Sequence, residues 1–181
     1  MTIKRYLLVA AFILLAYCNA LAGGVGTWKN YLAYSDVQWV EEGGNKLYVL
    51  ASNSLYTYNK NDQSIKTYDK VNGLSDTDIR FIAWNKTARR LVIIYSNNNI
   101  DLLDDRGNVT NVPDYYLKTT MADKTVNGID MSGVYCYLST GFGLVKFNVA
   151  KAEISDSYNL SFPVNYSYIE GGYIYAASQS N

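Results

Sequence analysis

YDKVNGLSDTDIRFIAW, residues 68–84, reads as the joint between two copies of one structural unit. A strand ends at Tyr68, Asn72-Gly73 supplies the left-handed backbone that a sharp turn needs, and Ile79 to Trp84 opens an apolar strand. Working outward from this joint, the chain repeats itself. NKLYVLASNSLYTYN (45–59), RRLVIIYSNNNIDLLD (89–104), SGVYCYLSTGFGLVKFN (132–148) and GGYIYAASQSN (171–181) each hold an apolar run, a serine and a short polar turn. Aligned on Ser52, Ser96, Ser139 and Ser178, the spacings are 44, 43 and 39 residues. A period near 40 with only strand patterns inside it predicts a β-propeller, built from four-stranded antiparallel blades of about this length.

The pattern within a unit agrees. Leu91, Ile93 and Tyr95 fall on one face of a strand, Val92 and Ile94 on the other, so both faces are apolar. Blades stacked around an axis bury both faces of their inner strands, whereas a sheet with one wet face alternates apolar with polar residues. No long 3.6-residue periodicity is present, so helix is expected to be nearly absent after residue 22. Strands are predicted at 37–41, 46–52, 55–59 and 64–68, then at 79–84, 90–96, 100–103 and 109–112. A third unit has them at 126–131, 134–139, 144–148 and 153–158, and a fourth unit at 164–169 and 173–178. The expected fold class is therefore all-β, a partial propeller of about three and a half four-stranded blades, the N-terminal fragment of a larger ring. The blades are placed at about 37–76, 77–123, 124–162 and 163–181. TWKNYLAYSD (27–36) is expected to supply the outer strand of the closing blade.

The N-terminus reads as a secretory signal peptide over 1–22. Lys4 and Arg5 precede an apolar run from Tyr6 to Tyr17, and Ala20-Leu21-Ala22 offers small residues for cleavage. The competing reading is a lipoprotein signal ending at Cys18. Cleavage after Ala22 removes Lys4 and Arg5 from 16 basic groups, leaving 14 against 16 acidic and a net charge of −2. So balanced a surface lacks the basic footprint of a nucleic-acid binder, and no second hydrophobic stretch follows to span a membrane. Cys136 then stands alone, so the fold is held by a core rather than by disulfides.

Residues that could carry chemistry read more simply as structure. Asp101, Asp104 and Asp105 with Gly107 and Asn108 contain part of a calcium-loop spacing but lack its bidentate glutamate, and read as a hairpin turn. Asp76 and Asp78 resemble paired carboxylates but flank a turn between units. Cys136 shares a strand face with Val134 and Leu138, and the chain contains no histidine to activate a thiol or ligate zinc. Thr140-Gly141-Phe142-Gly143 joins two strands and opens no helix, unlike a phosphate loop. Neither a catalytic set, nor a metal site, nor a cofactor is assigned. Tyr31, Tyr34, Tyr115, Tyr116, Tyr158, Tyr166 and Tyr168 lie outside the runs read as inner strands; rings placed on loops suit sugar faces or a protein partner.

YDKVNGLSDTDIRFIAW resembles the turn of the two-component regulator propeller repeat, and LSTGFGLVKFN resembles its hairpin into a tyrosine-rich strand. From TWKNYLAYSD through IRFIAWNKTARRLVIIYSNNNIDLL to DKTVNGIDMSGVYCYLSTGFGLVKFN, about residues 27–160, the chain is more specifically similar to the N-terminal propeller of PorZ-like proteins of the type IX secretion system. That resemblance implies a non-enzymatic, exported β-propeller. It would act as a protein- or glycan-binding scaffold in the surface complex that works with a sortase-like enzyme and attaches lipopolysaccharide to secreted cargo. The implied location is the outer-membrane surface or periplasm, and the implied partners are other secretion-complex or surface proteins, lipopolysaccharide or glycan. The alternative is the periplasmic ligand-sensing propeller of a hybrid two-component regulator. A propeller lyase or glycosidase would need acidic, basic or histidine groups converging on the ring axis.

Overall fold

The structure is a computed structural model that describes residues 34–119 and 122–178. The segment 1–22 expected to be a signal peptide, Cys18, Tyr31 and most of the 27–36 segment lie outside them. Strands β1 (Val37–Gly43), β2 (Lys46–Ala51), β3 (Ser54–Asn59) and β4 (Ile65–Tyr68) form one antiparallel sheet in chain order. So do β5 (Ile79–Asn85), β6 (Arg90–Tyr95), β7 (Ile100–Asp104) and β8 (Val109–Val112). A third sheet holds β9 (Val126–Ser132), β10 (Tyr135–Thr140), β11 (Gly143–Asn148) and β12 (Glu153–Asn159), and a hairpin of β13 (Tyr166–Glu170) and β14 (Tyr173–Ala177) follows. Among the described residues the result is three complete propeller blades and half of a fourth. Every strand expected from the sequence is present, its ends shifted by two residues or fewer.

The middle blade is buried on both faces, as its doubly apolar strands require. Leu91, Ile93 and Tyr95 pack with Tyr48, Leu50 and Leu55 of the first blade. Val92 and Ile94, on the opposite face, pack with Cys136, Leu138, Val145 and Phe147 of the third. Fully burying one such side chain contributes about 1.5–3 kcal/mol, so these two interfaces dominate the stability of the fragment. Successive blades are also locked at one end by a repeated contact in which an amide entering the inner strand finds an acceptor on the β2–β3-type turn of the blade before. The Ile79 amide donates to the Asn53 carbonyl at 3.0 Å, Val126 to the Asn98 side-chain oxygen at 3.3 Å, and Val164 to the Thr140 carbonyl at 2.9 Å.

The joint at residues 68–84 uses its polar residues differently from the expectation. Gly73 adopts a left-handed backbone (φ 123°), but the second such residue is Asp78 (φ 60°), not Asn72. Asn72 acts through its side chain, accepting the Asp69 amide at 2.8 Å, while the Asp69 carboxylate accepts the amides of Val71 and Asn72. This knot drives Leu74 into the core between the first two blades.

Two further differences emerge. Ser52, Ser96 and Ser178 each directly follow the second strand of their blade, but Ser139 lies inside β10. Backbone pairing makes Gly141 the true counterpart: it donates to the Thr125 carbonyl as Ser52 does to Asp36 and Ser96 to Asp78. Alignment on the serine alone misplaced the third unit because small polar residues also occur inside a buried strand. The second is a single helical turn, α1 (Asp114–Leu117), between β8 and β9. Four residues are too few to write a helical period, and Pro113 at its start is the one local trace of it.

Candidate functional site

β1, β5, β9 and β13 follow one another around the inner side of the fragment, and each of the three complete blades carries the same irregularity there. The pairing register slips between residues 37 and 39, between 79 and 81, and between 126 and 128. The extra residues are Gln38, Arg80 and Asn127. A bulge re-aims the side chain it carries and is over-represented beside functional sites. Because the slip recurs at one place in each blade, it gathers three polar side chains at one end of the axis.

Their environments differ. The Gln38 side-chain amide donates to Asn53 Oδ1 at 2.9 Å while its oxygen accepts the Asn53 amide at 3.0 Å, so it braces the β2–β3 turn. Asn127 Nδ2 donates to the Val164 carbonyl at 3.1 Å. The Arg80 guanidinium lies 5.4 Å from the Phe81 ring centroid and makes no hydrogen bond or ion pair among the described residues. Arg80 and Asn127 line a cavity of about 410 Å³ with Asn165, Tyr166 and Ser178. Asp123 adds a carboxylate held below its usual range by the amide and hydroxyl of Thr125 and, more weakly, by the charge of Arg80. Such a mouth can recognise and orient a polar or anionic group. Deeper along the axis, Glu41 accepts the Trp84 amide and Asp130 the Ile169 amide, each at 3.2 Å. Glu41 and Asp130 hold equivalent register positions, opposite Tyr48 and Tyr137, and so satisfy inner-edge amides that no strand pairs.

Asp101 leaves the turn altogether. It is fully buried on β7, where it accepts Tyr95 Oη at 2.6 Å, the Ser75 amide at 2.8 Å and Asn111 Nδ2 at 2.8 Å. Asp104 accepts the amides of Arg106 and Asn108, closing the β7–β8 turn, and Asp105 pairs with Arg89 at 2.5 Å. The three carboxylates thus do separate work, and no group of three potential metal ligands converges among the described residues. Asp76 accepts from Asn97 and forms an ion pair with Lys70 at 3.7 Å, whereas Asp78 accepts Asn53 Nδ2 at 2.6 Å; they do not face one another as a pair. Cys136 is completely buried, and burial, with a further push from Asp130, holds its thiol protonated. Thr140 to Gly143 is a hairpin. Gly143 is required there, with φ 144° and the position of a Cβ only 2.1 Å from the Tyr158 carbonyl.

The tyrosines divide. Tyr115 is a core residue, its hydroxyl donating to the Lys124 carbonyl at 2.7 Å, and Tyr34 sets its ring edge-on to Tyr56. Tyr158 is half-buried on β12, while Tyr116 is exposed on α1. Tyr166 and Tyr168 lie on the inner strand β13, within the run 164–169 expected to form a strand. With Tyr173 and Tyr175 opposite, they make an exposed aromatic face of the last hairpin. The bulge residues Gln38, Arg80 and Asn127 were not singled out in the sequence. The only trace of the bulges is that one residue must be skipped to align the three inner strands.

A family model described as "TSS9, PorZ, N-terminal beta-propeller domain" matches residues 47–181. Among solved structures, the chain is similar to PorZ of Porphyromonas gingivalis, described as an essential bacterial surface component of the type-IX secretion system. The identity is 36% and the TM-score 0.71 over 77% of this chain. The chain spans 19% of that PorZ chain. The extracellular domain of a putative hybrid two component system from B. thetaiotaomicron matches at 19% identity and TM-score 0.61, covering 78% of this chain and 19% of its own. AztD from Citrobacter koseri matches at 15% identity and TM-score 0.58, covering 78% and 40%. These two likenesses show the fold alone. A search of curated proteins found no significant match. On the strength of the family model and of the 36% identity to PorZ, the chain belongs to the family of PorZ N-terminal β-propeller domains.

Proposed function

We propose that this chain is exported and serves as a non-enzymatic binding scaffold in a type IX secretion surface complex, the one that works with a sortase-like enzyme and attaches lipopolysaccharide to cargo. The observation that carries the proposal is the 36% identity to a surface component of that system over most of the chain. The recurring inner-strand bulge supports it, because it presents polar groups suited to holding a partner's polar surface rather than transforming it. In this reading residues 1–22 are removed on export and the propeller occupies 23–181, with blades at 37–76, 77–123 and 124–162, a partial blade at 163–181, and 27–36 contributing to the closing blade. The partners are other proteins of the complex, and glycan or lipopolysaccharide. Among the described residues no helix is long and apolar enough to cross a membrane.

Membrane fractionation of cells carrying the intact protein, followed by protease treatment of whole cells, tests the location. Recovery with the outer membrane and loss of the domain on shaving are expected. Co-fractionation with the inner membrane and protection from protease would overturn the proposal in favour of a sensory propeller.

A further inference from the structure

At the end of the blades opposite the axial mouth, a cleft of about 730 Å³ opens between the first and second blades. Three turns wall it: the β1–β2 hairpin with Lys46, the β5–β6 hairpin with Lys86 and Arg89, and the β7–β8 turn with Asp105 and Arg106. We propose that this cleft binds a phosphate-bearing ligand about the size of a sugar phosphate. The proposal does not rest on the surface role argued above.

The charge balance points to an anion. Each carboxylate in the cleft already has a cation: Glu42 pairs with Lys60 at 2.5 Å, and Asp105 with Arg89 through Nε at 3.0 Å and Nη2 at 2.5 Å. Lys46 Nζ is directed at a neutral acceptor, the Asp105 carbonyl, at 2.7 Å. The side chains of Lys86 and Arg106 are exposed and make no hydrogen bond or ion pair among the described residues. Three positive charges therefore converge on one concavity, and the carboxylate that acts on one of them, Glu42 on Lys86, is already paired with Lys60. Arg and Lys donors converging in this way suit a phosphate, whose oxygens accept several charge-assisted hydrogen bonds at once. A concavity of this volume also lies within the range of small-molecule sites rather than flat protein interfaces.

Trp84 lines the cleft and stacks on Tyr48, with ring centroids 5.2 Å apart and planes 18° apart. Gly43 lets the two rings come this close, since a Cβ there would fall 2.7 Å from each. Tyr48 is 1% exposed, and its hydroxyl, within electrostatic reach of Asp105 and Arg89, has no hydrogen-bond partner among the described residues. A buried, unspent donor is costly to leave unmade.

Trp84 supplies the reporter. The full-length protein is titrated with glucose 6-phosphate and with glucose by calorimetry and tryptophan fluorescence. Binding of the ester but not of glucose is expected, weakening with added salt. The double variant Lys86→Ala/Arg106→Ala removes two charge-assisted contacts and is expected to weaken binding by about tenfold or more. Both side chains are exposed, so the variant keeps the wild-type unfolding midpoint. Arg106→Glu, which reverses one charge, abolishes binding, and Arg80→Ala at the axial mouth leaves it unchanged. Vesicles of phosphatidylcholine with and without phosphatidic acid distinguish the source: capture that depends on Lys86 and Arg106 assigns the phosphate to a lipid headgroup, and ester binding without capture to a soluble ligand. No binding of the ester, or binding undiminished in the double variant, would overturn the proposal whether or not the protein resides at the cell surface.

Discussion

Replacing Asp101 with alanine should damage the fragment more than any other change of one polar side chain. Its carboxylate is fully buried and accepts three hydrogen bonds: from Tyr95 Oη and the Ser75 amide on one oxygen, and from Asn111 Nδ2 on the other. The Ser75 contact ties the second blade to the linker arriving from the first. Hydrogen bonds to a charged group contribute about 1.5–3 kcal/mol each. Removing a buried charge also relieves its desolvation, which offsets part of the sum. The net expected cost is about 3–5 kcal/mol, since the buried Tyr95 Oη and the Ser75 amide are each left unsatisfied at about 1–3 kcal/mol. Asp101→Asn separates the terms. Its oxygen can still accept from Tyr95 and Ser75, but its NH2 would oppose Asn111 Nδ2. Asn111 is not free to turn its amide over, because the same nitrogen donates to Asn99 Oδ1 and the Ile100 carbonyl. The expected cost is about 1–2 kcal/mol, one lost bond and one crowded donor. Equilibrium urea unfolding followed by tryptophan fluorescence measures both. With a slope of about 2 kcal/mol/M, the alanine variant loses about 2 M in midpoint. A cost below about 1 kcal/mol for alanine, or an asparagine variant as damaged as the alanine one, would refute the reasoning.

Other consequences follow from the same geometry. Gly143→Ala places a Cβ 2.1 Å from the Tyr158 carbonyl and should disrupt the third blade, whereas Gly44→Ala has open space around it and pays only for its left-handed backbone, about 1 kcal/mol; thermal unfolding of the two variants gives the contrast. Cys136 should resist a thiol reagent in the native protein and react at once in urea, since it is fully buried and its thiol held protonated. Burial raises the hydroxyl pKa of Tyr48, Tyr95 and Tyr115 in the folded protein, with Asp101 adding to the effect at Tyr95. Their contribution to stability is therefore complete below the unfolded value near 10 and is lost as the pH rises beyond it, by about 1.4 kcal/mol per pH unit for each group. Absorbance titration should show these three ionising together with alkaline unfolding rather than before it.

The fold was legible because two periods are written into the chain at once. The near-40-residue recurrence gave the blades, and the doubly apolar Leu91 to Tyr95 run gave the burial of the middle blade on both faces. The candidate site was much less legible. Gln38, Arg80 and Asn127 matter because backbone pairing slips at each of them, and a slip of one residue leaves no mark in composition. Asp101 was grouped with Asp104 and Asp105 by proximity along the chain, yet β7 carries it into the core while the turn keeps the other two. Alternation along a strand sends near neighbours to different environments, and that separation follows only from knowing where the strand ends. The cleft between the first two blades draws its cations from three turns far apart in sequence, so no local motif announces it.

Site-specific photo-cross-linking in living cells tests the central claim, that the axial mouth is the binding face of an exported propeller. A photoreactive residue is placed at Arg80 and Asn127 in turn, with Ile65, exposed on β4, as the control. The account predicts cross-links from positions 80 and 127 to outer-membrane or surface components, and none from position 65. Equal cross-linking from all three positions, or products confined to inner-membrane proteins, would contradict it.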